Sequence, residues 1–141
     1  MATKADLTEG EWAALQKGLT GSAMLVSLSD RDFTDSFGEV GALAKYLQGQ
    51  QVAGSSELMR DIAKTHGTGF GFGTSPDKMR AETMAALKTS RTALTAKAPD
   101  EVAAYRELVL GAAQAVADAK GGVTPVESAM LDEVRKALDG G

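Results

Sequence analysis

"SAMLVSLS", residues 22–29, decides the fold. Ala23, Met24, Leu25, Val26 and Leu28 crowd a segment of eight residues, and continuous burial erases both the two-residue and the 3.6-residue period. Such a run fits a buried strand and a buried helix equally well. The rest of the chain resolves the ambiguity, because no other segment alternates in a way that would give this one a strand to pair with. The run is therefore read as helix, and the chain as all-α.

Working outward, the neighbours on both sides carry helix signals. Upstream, Thr8 and Glu11 have capping-box spacing, with Leu7 and Trp12 placed as a hydrophobic staple. Gly18 is expected to end that helix, leaving 22–29 as a short helix of its own. Downstream, Thr34 opens a helix with Phe37, Val40, Ala44 and Leu47 at spacings of three and four. It fades in "QGQQVAG". Ser55 or Ser56 caps a short helix bearing Leu58, Met59 and Ile62, which Gly67 stops.

Ser75-Pro76-Asp77 is a cap, a proline in the first turn and an acid near the positive end of the helix dipole. The helix it starts carries Met84, Leu87, Arg91 and Leu94 on one stripe, up to Pro99. Another begins at Pro99 and runs through Val102, Tyr105, Val109, Ala112 and Val116 until Gly121-Gly122. Thr124, Pro125 and Glu127 form a further capping box, followed by Met130, Val134 and Leu138. The expectation is one helical domain over 1–141, with six or seven helices. It has a flexible N-terminus at 1–6 and a Gly/Phe loop at 67–75.

Bulk properties narrow the function classes. A length of 141 residues suits one domain with a real core. With 43% hydrophobic and 24% charged residues, composition is that of a globular protein rather than a disordered one. The net charge is −4 and no basic run occurs, which argues against nucleic-acid binding. No stretch approaches the roughly 18 apolar residues of a membrane span. The N-terminus lacks the apolar core of a signal peptide, so a cytoplasmic location is expected. The absence of cysteine removes thiol catalysis and thiolate metal sites.

Two segments echo one another. "DFTDSFGEVGALAKYL" (32–47) and "GVTPVESAMLDEVRKAL" (122–138) share a Thr followed by spaced aliphatics, with one residue inserted after the cap in the second. Each follows an apolar helix and a small polar turn, which gives two pseudo-repeated helix–turn–helix units. Residues 115–141, and more loosely 22–47, resemble the tellurite-resistance TerB-like helical family. The same pattern occurs in uncharacterised proteins of actinobacterial type. The resemblance covers about a third of the chain. It implies a helical, stress-linked binding protein that holds a metal ion through carboxylates in its two turns. Carried onto this sequence, those carboxylates are Asp30, Asp32, Asp118 and Glu127. The chain departs from the pattern at Phe37, where the family has Glu, and at the insertion "AKGG" after Asp118.

Other chemistry finds little purchase. Asp30, Asp32 and Thr34 alternate as in a calcium loop, but the sixth and twelfth positions hold Asp35 and Gly41 in place of Gly and Glu. An acidic turn entering a helix accounts for them. His66 is the only histidine, and helix-end placement favours its charged form without giving it a ligand or catalytic partner. No serine-hydrolase or P-loop motif is present. Gly67, Gly69, Gly71 and Gly73 follow a helix rather than a strand, against a dinucleotide fingerprint. Their alternation instead lets the backbone approach closely and aims Phe70 and Phe72 the same way. These rings either plug the bundle's open end or contact a partner.

The reading is a non-catalytic binding or scaffolding protein, without cofactor, that engages a protein partner or a second copy. The alternative is a carboxylate-based metal-binding protein or small enzyme using Asp30, Asp32, Asp118 and Glu127. That alternative requires the four carboxylates to converge within about 3–6 Å of one point.

Overall fold

Residues 22–29 are helical, but they do not form a helix of their own. In the computed structural model, which describes residues 4–29, 36–53, 56–64, 75–118 and 125–139, one helix α1 runs unbroken over Glu9–Ser29. Gly18 lies in its middle, correcting the expectation of a break there. After it come α2 (Ser36–Ala53), α3 (Glu57–Ile62), α4 (Pro76–Lys97), α5 (Val102–Asp118) and α6 (Pro125–Asp139). Single 3-10 turns occupy Lys4–Asp6 and Pro99–Glu101, so α5 starts three residues later than Pro99. Among the described residues there is no strand.

The capping signals place the helix starts well. The Thr8 amide donates to Glu11 Oε1 at 2.8 Å, and the Glu11 amide donates to Thr8 Oγ1 at 3.1 Å. This reciprocal pair satisfies two amides that the first turn leaves open. Leu7 and Trp12 both pack into the main core, as a staple requires. Lys97 Nζ reaches Glu11 Oε1 at 2.5 Å and ties the end of α4 to the start of α1. That hydrogen bond, then the Thr8 amide, holds the Glu11 carboxyl below its ordinary range.

Ser75 caps α4 and Ser56, rather than Ser55, caps α3. The Ser56 hydroxyl accepts from the Met59 amide at 3.2 Å and donates to Glu101 Oε2 at 2.6 Å. One hydroxyl thereby joins the start of α3 to the turn that leads into α5. Glu101 is 9% exposed, so losing this donor leaves a buried carboxylate oxygen short of a partner. Ser56→Ala is expected to cost about 1–3 kcal/mol in urea unfolding, combining the cap and the abandoned carboxylate. Ser56→Thr should recover most of it. A stable Ser56→Ala protein would show that the bond contributes nothing.

α1 is the hub, packed against α4, α5 and α6. From Gly18 to Val26 every residue except Met24 is buried. A stretch covered on nearly all sides has no polar face, which is why the amphipathic pattern there is weak and its sequence ambiguous. Its buried hydroxyls are satisfied within the helix: Ser22 Oγ donates to the Gly18 carbonyl at 2.6 Å and Thr20 Oγ1 to the Gln16 carbonyl at 3.0 Å.

The main core joins Leu15 and Leu19 of α1 to Leu58, Met59 and Ile62 of α3, Leu87 and Leu94 of α4, Tyr105 and Val109 of α5, and Val134 and Leu138 of α6. A smaller cluster gathers Ala23 and Val26 with Ala113, Val116 and Leu131. On α2 the expected stripe is partly wrong. Leu47 is buried and Leu43 packs on the core, but Ala44 is exposed.

Candidate functional site

α1 and α4 run antiparallel. Glu11 meets Lys97 at one end, and further along Gly18 stands against Leu87 and Gly21 against Thr83. The approach is tight at both glycines. A methyl group on Gly18 would stand 2.5 Å from the Tyr105 hydroxyl oxygen and 3.0 Å from Leu87 Cδ2, and one on Gly21 would collide with Thr83 Oγ1. Thr83 Oγ1 is itself buried and has no hydrogen-bond partner.

Behind this contact, Tyr105 is 1% exposed and donates to the Leu15 carbonyl at 2.7 Å. Burial pushes its hydroxyl well above the ordinary tyrosine value, opposed in part by the neighbouring Ser90 hydroxyl. Ser90 in turn donates to the Ala86 carbonyl at 2.7 Å. The Tyr105 and Ser90 hydroxyls at this junction of α1, α4 and α5 are thus both turned toward backbone carbonyls, while Thr83 Oγ1 is left without a partner. Their chemistry is that of a helix clamp, with no group aimed into an open site.

On the outer side of the same helix pair lies an open groove of about 360 Å³. Gly10, Ala13, Ala14 and Lys17 line it from α1, and Glu82, Ala85, Ala86 and Thr89 from α4. Each helix contributes the same i, i+3, i+4, i+7 register, which is one helical face. The side chains are small because the helices are close, so the floor is mostly apolar and shallow. Lys17 and Glu82 supply its only charges. Sequence reasoning missed this face, since alanine and glycine in a helical register read as neutral spacing. The repeated small residues in both registers were the available signal.

The residues singled out from sequence fall elsewhere. Asp118 is exposed at the last position of α5, where its Oδ1 accepts from Gln114 Nε2 at 2.9 Å. Glu127 belongs to the first turn of α6, but its side chain lies outside the described residues, as do Asp30, Asp32, Phe70, Phe72 and His66. Among the described residues, no group of three or more His, Asp or Glu side chains is disposed to hold a metal ion.

Millimolar calcium or magnesium is expected to leave the thermal midpoint almost unchanged. A site of micromolar affinity would add roughly 4 kcal/mol at about 1 mM ion. A shift of that size, lost in Asp118→Asn or in Asp30→Asn with Asp32→Asn, would instead establish the carboxylate site.

Among the described residues, three interhelical ion pairs decorate the surface: Lys97 with Glu11, Arg80 with Glu133, and Arg106 with Asp139 at 2.9 Å. Exposed pairs of this kind contribute little individually. No described helix is long and apolar enough to cross a membrane. No protein-family model, curated protein or solved structure matches the chain.

Proposed function

We propose that this protein is a non-catalytic helical binding or scaffolding module whose contact face is the groove between α1 and α4. The observation that carries the reading is the groove itself. Two antiparallel helices present an open groove lined mostly by Gly, Ala and Thr, with Lys17 and Glu82 as its charged residues. Small side chains let another backbone approach closely, and the hollow between two helices is the natural seat for ridges of a third. The occupant is accordingly a helix of a protein partner, with a second copy of this chain among the candidates. The resemblance of residues 22–47 and 115–141 to TerB-like proteins adds a stress-linked setting to the proposal, and the N-terminus without an apolar signal core a cytoplasmic one.

The test is site-specific photo-crosslinking in cells that express the protein. A photoreactive amino acid in place of Thr89, in the groove, is expected to give a discrete adduct identified by mass. The same group at Glu107 on α5, which does not line the groove, should give none. Ala85→Arg should abolish the Thr89 adduct while leaving the thermal midpoint within a few degrees of wild type, since Ala85 is exposed. Equal labelling at both positions, or an adduct indifferent to Ala85→Arg, would remove the groove as the contact face.

A further inference from the structure

We draw no further inference here: the strongest candidate, the small-residue groove between α1 and α4, is the face already assigned above, and nothing in the structure shows which partner covers it.

Discussion

Gly18→Leu is expected to leave the protein largely unfolded at room temperature, with loss of helical circular dichroism or of a cooperative thermal transition. The position has no room: a bare Cβ already stands 2.5 Å from the Tyr105 oxygen, and the Tyr105 ring is itself fully buried and cannot swing aside. Overpacking a core by even one or two methylenes costs about 1–3 kcal/mol. An isobutyl group wedged between α1, α4 and α5 must cost more than that, against a total stability on the order of 5–15 kcal/mol.

Gly18→Ala gives a finer measurement. Helix propensity alone would stabilise the variant by about 1 kcal/mol, whereas the clash predicts net destabilisation. Combining Gly18→Ala with Tyr105→Phe removes the oxygen that the new methyl meets, so the double variant should recover part of the loss. A coupling of about 0.5–3 kcal/mol is expected for residues in contact. If Gly18→Ala raised the unfolding midpoint, the close approach of these helices would be refuted.

Tyr105→Ala is expected to cost about 3–5 kcal/mol, the range for deleting a buried aromatic ring. Tyr105→Phe should cost only about 1 kcal/mol, because the ring stays and a single hydrogen bond to the Leu15 carbonyl is lost. The two variants separate packing from hydrogen bonding. Equal losses would mean that the hydroxyl, and not the ring, holds α5 to α1.

The same residue gives the fold an alkaline limit. Burial raises the folded-state pKa of Tyr105 above that of the unfolded chain, near 10. Its contribution is fully present below that value. As pH rises past about 10 the unfolded state ionises first, and stability falls by up to about 1.4 kcal/mol per pH unit until the folded hydroxyl also ionises. Tyr105→Phe lacks this slope. Its deficit relative to wild type should therefore shrink between about pH 9 and about pH 11, and a constant deficit would show that the hydroxyl ionises equally in both states. Tyr46, whose value is also raised, is common to both proteins and cancels in the comparison.

How much of this was legible in the sequence depended on how local each cause was. The capping box at Thr8 and Glu11, the serine cap with proline at residues 75 and 76, and the apolar periods of α5 and α6 are local chemistry. The structure places helix starts where they indicate. The candidate site was less legible. Most of its lining residues have side chains too small to leave a pattern.

Gly18 shows where local reading stops. Within its own segment, glycine before an apolar run reads as a helix end, because isolated glycine weakens a helix and often follows its last turn. Its actual role depends on Tyr105 and Leu87, which lie far along the chain and become neighbours only after α4 and α5 dock. The sequence by itself determined that this chain is helical and where most helices begin, since caps and apolar periods act over a few residues. Only the tertiary structure decided that α1 continues through Gly18 and that the small faces of α1 and α4 form one groove. Both follow from the distance between packed helices, a quantity that no single segment encodes.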